Sequence, residues 1–160
     1  MTESGARAAL IAEALSWVGT PFSRGMGAVK GRNGAVNCGL LLARCGIDAG
    51  IVPPFELPKI HPRFFVRPQE KLIEFIYAQF PGTHEVPEAK PGDLHLYHFE
   101  AAFGHCAIRV SETEIVHAYE AAGMVIVSRI DEPLLTTIPL GSYGVPRPVK
   151  YLDVISGLKG

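Results

Sequence analysis

One cysteine and two histidines in this chain have the types and spacing needed to break an acyl bond. Cys38 follows Asn37 and opens an apolar run, which puts it in the first turn of a predicted helix, where free amides and the helix dipole stabilise a thiolate. His105 begins one predicted strand, and His117 lies near the end of the next. A tight hairpin would bring the two imidazoles together on one face. A thiolate, a base and a ring that orients the base make a nucleophilic triad.

The N-terminal half predicts helices that would position the cysteine. Apolar residues recur at helical spacing over residues 3–18, which predicts a first helix. Residues 20–35 contain four glycines and keep no apolar period, which predicts a loop. The apolar run over residues 38–47, with Asn37 as N-cap and Gly50 as a stop, predicts a buried second helix.

The next segment is rich in proline. Frequent prolines over residues 53–68 argue against regular structure there. Phe55, Phe64 and Phe65 are expected to hold this segment against the body of the domain. A third helix is predicted over about residues 68–80.

The C-terminal half predicts strands. After a turn at residues 90–93, four segments alternate or carry β-branched residues: 94–99, 105–110, 114–119 and 124–130. Short turns between them predict an antiparallel meander. Residues 143–148 are turn-prone and predict an edge strand at most. Helices followed by a meander indicate an α+β fold.

Composition restricts the class of protein. The chain has 160 residues, of which 48% are hydrophobic and 19% charged, as expected for one globular domain. A net charge of -1 gives no general attraction for nucleic acid. We see neither an export signal nor a stretch of about 20 apolar residues for a membrane span. The three cysteines, an odd number, predict free thiols in a reducing compartment, so we expect cytoplasmic synthesis.

The other cysteines are predicted to be structural. Cys45 is expected to be a small buried hydrophobe. It lies about 10 Å from Cys38 along a helix, beyond the roughly 7 Å limit for a disulfide. Cys106 directly follows His105, so strand alternation predicts that its thiol points away from the site.

The remaining histidines and the glycine-rich loop have ordinary interpretations: we expect no functional role for His61, His84, His95 or His98. A zinc site formed by Cys38, His105 and His117 is an alternative, but no CxxC or HxxxH spacing supports a metal. The loop over residues 25–34 lacks the phosphate-binding pattern and is expected to form a mobile rim of the cleft. Lys30 and Arg32 are expected to be solvated there.

Four motifs, in this order, resemble those of the NlpC-like cysteine peptidases, papain-fold enzymes that cut the peptide stems of bacterial cell wall. They span nearly the whole chain and are Trp17-Val18-Gly19-Thr20-Pro21-Phe22, Val36-Asn37-Cys38-Gly39-Leu40-Leu41, Lys90-Pro91-Gly92-Asp93-Leu94, and Gly104-His105-Cys106-Ala107-Ile108 with Ile115-Val116-His117-Ala118. The twelve-residue step from His105 to His117, together with the other motifs, carries the resemblance.

The resemblance implies a single papain-like (NlpC-type) domain over residues 1–160, with N-terminal helices packed on an antiparallel sheet. It gives Cys38 the role of nucleophile, His105 that of base and His117 that of orienting residue, in a peptidase of peptidoglycan stem peptides that needs no cofactor. The run from His117 to Ser128 resembles the phage and prophage tail-associated branch. Phage tail proteins would then be partners, and the protein would act in a virion or after lysis.

Three positions depart from the family pattern. Phe22, Asn37 and Gly39 stand where members usually have tyrosine, aspartate and serine, the groups that help to hold the amine end of the stem peptide. These three are the substrate-binding candidates, and they offer an ammonium group no charged partner. The departures leave two alternatives open beside the peptidase: a non-catalytic tail assembly module, and an acyltransferase or amidase acting on another acyl group.

Overall fold

A computed structural model describes residues 1–25, 27–57 and 67–158 of the chain. The helices are α1 (Glu3–Ser16), α2 (Cys38–Asp48), α3 (Lys71–Gln79) and the short α4 (Pro133–Thr136). The strands are β1 (His84–Val86), β2 (Leu94–Phe99), β3 (Ala102–Arg109), β4 (Glu114–Tyr119), β5 (Met124–Arg129), β6 (Thr137–Leu140), β7 (Tyr143–Pro146) and β8 (Val149–Asp153). Within these ranges, no helix is long and apolar enough to cross a membrane.

Six strands form one antiparallel sheet in the order β1-β8-β2-β3-β4-β5, while β6 and β7 form a separate hairpin. The predicted meander is confirmed as β2 to β5. The three predicted helices are also confirmed. Helix α3 begins at Lys71 rather than at the predicted residue 68, because residues 68–70 form a turn that precedes it.

The helices cover one face of the sheet. Helix α2 contacts α1, β3 and β4 and is buried along most of its length, as its apolar run predicts. Alternating residues of β2 to β4 join the main core on the helix side, among them Leu96, Cys106, Ile108 and Val116. The opposite face carries a smaller cluster of Tyr97, Ala107, Ile115 and Leu135.

The edge strand predicted within residues 143–148 is confirmed. Residues 143–146 form β7, which pairs with β6 in the hairpin. The missed strand β8 lies inside the main sheet, between β1 and β2. β8 pairs with β1 and β2, which lie much earlier in the chain. Pairing over such a distance depends on long-range contacts, so the local sequence does not indicate it.

The proline-rich segment is described only in part. The Phe55 ring packs edge-on against Phe75 of α3, with centroids 6.5 Å apart, which confirms its predicted contact with the body. Phe64, Phe65 and His61 lie outside the described residues.

A buried arginine connects the helices to the sheet. Arg7 of α1 donates to Asp93 at 2.7 Å and to Asp153 of β8 at 2.9 Å, and it also donates to the Pro91 carbonyl. Gly92 has a φ of 95°, and a Cβ there would lie 2.8 Å from Arg7 Cγ. The Pro-Gly-Asp motif therefore fixes where β2 begins relative to α1.

Replacing this arginine should destabilise the fold. Arg7→Met would leave Asp93 and Asp153 buried without their cation, and breaking a buried pair in this way costs about 3–5 kcal/mol. We expect urea denaturation to report a loss of that size in the free energy of unfolding.

Arg129→Met is the matched control, because the Arg129–Asp131 pair is largely exposed and such pairs contribute about 0–1 kcal/mol. Equal losses in the two variants would contradict the role given to Arg7.

Candidate active site

The chain reaches the start of α2 along the edge of the sheet. The Thr20 carbonyl accepts from the Val125 amide of β5, and the Phe22 amide donates to the Gly123 carbonyl just before β5. The Val36 amide then donates to the Pro21 carbonyl at 3.0 Å. The Trp-Val-Gly-Thr-Pro-Phe motif thus attaches the loop to β5 and fixes the position of Val36, the residue before Asn37.

Asn37 caps α2 and places Cys38 at its first helical position. The Asn37 side-chain oxygen accepts from the Leu40 amide at 2.9 Å, and its amide group donates to the Gly25 carbonyl at 3.3 Å. The Cys38 side chain is 8% exposed, and its thiol lies 3.7 Å from the Gly104 carbonyl of β3. The predicted helix-start cysteine is confirmed, and it faces β3.

Strands β3 and β4 separate where the histidines lie. The two strands pair only at Ile108 with Val116 and at Arg109 with Ile115. His105 pairs with Tyr97 on β2, so it lies on the sheet face away from the helices. Because β3 and β4 are no longer paired here, Cys38 can approach His105 from the helix side.

The two histidines form a direct contact. His105 Nε2 and His117 Nδ1 are 2.8 Å apart, as the predicted hairpin required. His117 Nε2 lies 2.8 Å from the hydroxyl of Ser128 on β5. His105, His117 and Ser128 therefore form a chain of polar contacts across β3, β4 and β5. The Cys38 thiol lies beside this chain, at the carbonyl of Gly104, the residue before His105.

Electrostatics fix the state of the orienting ring. Burial, and then the charge of His105, lower the pKa of His117 to about 2. His117 is therefore neutral and carries one ring proton. If His105 is to become a cation, its Nε2–H must donate to His117 Nδ1, and His117 Nε2–H then donates to Ser128. This arrangement leaves His105 Nδ1 free to exchange a proton with Cys38.

The residues around Cys38 lower the pKa of its thiol. A hydrogen bond from the Cys106 thiol lowers the pKa of Cys38, burial opposes the change, and the hydrogen bond and charge of His105 lower it further, so that the net shift is well below the ordinary value. Burial raises the pKa of Cys45 instead. Its position at the helix start and its neighbours Cys106 and His105 therefore distinguish the Cys38 thiol from that of Cys45.

Aromatic rings surround the imidazole pair. Tyr119 stacks on His117 with centroids 4.8 Å apart, Phe99 meets His105 edge-on at 5.6 Å, and Tyr97 lies 6.2 Å from His105. These rings exclude water and hold both imidazoles in place. They were not predicted as site residues, although Tyr119 lies two residues after His117 on β4 and so on the same face.

Ser128 was also missed. Ile126 pairs with His117 and Ser128 lies two residues further along β5, so strand periodicity places Ser128 on the same face as His117. This hydroxyl could have been identified from alternation alone once β4 and β5 were paired.

The prediction for Cys106 is wrong. Its side chain does point to the opposite face from His105, as alternation requires, but that face carries the start of α2. The Cys106 thiol donates to the Cys38 carbonyl at 3.3 Å. Cys106 therefore lies in contact with the nucleophile.

The three substrate-binding candidates lie around the helix start. Phe22 is half-buried against the main core, Gly39 is buried in the first turn of α2, and both Asn37 groups have partners within the protein. Asn37 is thus a capping residue here. Lys30 of the glycine-rich loop bonds to Glu13 at 2.7 Å, which ties the loop to α1.

The other described histidines lie outside this contact chain. His84 is exposed on β1, and the ring of His98 packs edge-on against Phe103. His95 is buried beside Tyr97 and Arg109, and burial followed by the charge of Arg109 lowers its pKa to about 4. His95 lines a separate cavity of about 270 Å³.

The arrangement suits proton transfer better than metal binding. Within the part of the chain that the structure describes, no group of three or more cysteine, histidine or carboxylate side chains is arranged to hold a metal ion. Two ring nitrogens that face each other at 2.8 Å share a proton and cannot both bind one ion.

Solved structures of other proteins have the same fold. The peptidoglycan hydrolase RipB of Mycobacterium tuberculosis is 21% identical, with 98% of this chain and 69% of that chain covered and a TM-score of 0.54. The P60 domain of an antigen from M. avium subspecies paratuberculosis is 20% identical, with 96% and 98% covered and a TM-score of 0.55. No family model and no curated protein sequence matches the chain. The fold is α+β and papain-like, of the NlpC type.

The neutrality of His117 can be tested by NMR. With nitrogen-15-labelled histidine, we expect the His117 ring to stay neutral with its proton on Nε2 from about pH 8 down to about pH 4. The unfolded chain takes up a proton near pH 6.5 that the folded ring does not, so stability is lost as the pH falls.

If the His117 ring took up a proton between about pH 8 and about pH 4, its assigned state would be wrong.

Proposed function

We propose that this protein is a cysteine hydrolase that cleaves peptide bonds in the stem peptides of bacterial peptidoglycan. The observation that carries the proposal is the contact chain from His105 through His117 to Ser128, with Cys38 beside it at the start of α2 and with its pKa lowered in part by His105. The motif resemblance and the fold shared with a peptidoglycan hydrolase give the proposed substrate class.

The first half of the reaction would acylate Cys38. The thiolate attacks the amide carbonyl, and His105 gives its Nδ1 proton to the leaving amine. The Cys38 backbone amide lies in the first turn of α2, where helix hydrogen bonding does not use it. It can therefore donate to the oxyanion that forms.

The second half would release the acid. Neutral His105 takes a proton from water, the resulting hydroxide attacks the thioester, and Cys38 leaves as a thiolate. His117 keeps one tautomer because Ser128 accepts its Nε2 proton. The ring planes therefore need no rearrangement between the two halves.

The residues at the helix start bear on which substrates enter. Phe22 provides an apolar surface, and the polar atoms of Asn37 are already bonded to Leu40 and Gly25. An ammonium group would find no charge there. We therefore propose a substrate whose amine is acylated or lies away from α2, so that recognition rests on apolar contact.

Phe22, Asn37 and Gly39 also favour a second candidate. A tail assembly module could keep the fold and the buried contacts without turnover. Association with phage tail proteins remains a prediction from the sequence, and it enters the test below as the competing outcome.

Hydrolysis of soluble muropeptides is the direct test. Disaccharide-peptides released from peptidoglycan by a muramidase would be incubated with the protein and analysed by mass spectrometry. We expect the masses of the two products to add up to the mass of the parent plus one water. We also expect the rate to fall at least about a thousandfold in Cys38→Ala, because removing a triad nucleophile has effects of this order or larger.

Cys45→Ala is the control, since Cys45 lies on the same helix but away from the histidines. The proposal fails if the wild type yields no cleavage or if Cys38→Ala cleaves as fast as the wild type. A stable complex with a tail protein, without cleavage, would favour the assembly module.

A further inference from the structure

Cys106 neither gives nor takes a proton in the proposed acyl-transfer steps, yet it contacts Cys38. Its thiol donates to the Cys38 carbonyl at 3.3 Å, and the Cys106 side chain also helps to lower the pKa of the Cys38 thiol. The two residues are 68 positions apart in the chain, and the packing of α2 on β3 brings them together. Neither thiol needs a large movement to reach the other.

We propose that Cys38 and Cys106 form an oxidation site, in which peroxide converts the nucleophile to a reversible disulfide. The Cys38 thiolate attacks one oxygen of hydrogen peroxide, so a sulfenic acid forms and hydroxide leaves. The Cys106 thiol then loses its proton and attacks the Cys38 sulfur, and the hydroxyl group leaves as water. Two thiols lose two electrons, and one peroxide is reduced to two waters.

The surroundings favour this pair over other thiol pairs in the protein. Both side chains are nearly buried, with 8% exposure for Cys38 and 2% for Cys106, so a disulfide between them would form inside the protein. Cys45 is fully buried and lies two helical turns from Cys38, too far for a bridge. Cys106 is thus the thiol placed to capture an oxidised Cys38.

The activity consequence rests on the proposed function. A disulfide removes the nucleophile without exposing it to further oxidation, and a dithiol reductant restores it. Without Cys106, a sulfenic acid on Cys38 would proceed to sulfinic acid, which dithiols do not reverse.

The test maps the bond by mass and needs no substrate. Trypsin separates the three cysteines into peptides 33–44, 45–59 and 72–109. After hydrogen peroxide treatment of the folded protein, denaturation and alkylation, we expect peptides 33–44 and 72–109 joined with the loss of two hydrogens. Only Cys45 should be alkylated, and dithiothreitol should restore labelling of all three.

Matched variants make the result decisive. In Cys106→Ala and Cys106→Ser, each confirmed as folded by circular dichroism, Cys38 should gain two oxygens that dithiothreitol does not remove. Cys45→Ala should still form the bond. Absence of the joined peptides in the wild type, or equal joining of Cys38 to Cys45, overturns the proposal.

The two proposals can fail separately. If the disulfide forms but no muropeptide is cleaved, the oxidation site stands and the hydrolase proposal does not. If cleavage occurs and peroxide abolishes it irreversibly with no joined peptides, the hydrolase stands and the oxidation site is rejected.

Discussion

The site depends on how the first turn of α2 packs on β3. Asn37 ends the loop, caps the helix and fixes Cys38 at its first position, while Gly104 and Cys106 of β3 contact the sulfur and carbonyl of Cys38. A shift of this turn along β3 would break every one of these contacts. The buried Arg7 network holds the same layers together further away, because it joins α1 to Asp93, just before β2, and to Asp153 at the end of β8.

A second constraint is the separation of β3 and β4. A fully paired sheet would close the space between their side chains, and the thiol on the helix side would not reach an imidazole on the other side. Pairing at Ile108 and Arg109 alone leaves that space. The aromatic rings of Phe99 and Tyr119 fill part of it, and their low polarity keeps His117 neutral. The separated strands and the aromatic rings in the space between them therefore hold the two imidazoles in contact.

Local pattern predicted the elements that carry the three central residues. Helical spacing, the Asn37 cap and strand alternation were enough to place Cys38, His105 and His117, because each signal lies within a few residues. The position of β8 and the contact between Cys106 and Cys38 were not predictable in this way. Both depend on which sheet face receives the helix and which strand pairs with which, and these are set by packing between distant parts of the chain.

The central claim is that His105 holds Cys38 as a thiolate, and the pH dependence of alkylation tests it without a substrate. Rates for Cys38, Cys45 and Cys106 would be read by peptide mass with iodoacetamide, in the wild type and in His105→Ala. We predict that Cys38 alone reacts fast well below about pH 8, and that this advantage is lost in the variant because its pKa rises. Equal rates for the three thiols, or an unchanged Cys38 profile without His105, would contradict the account.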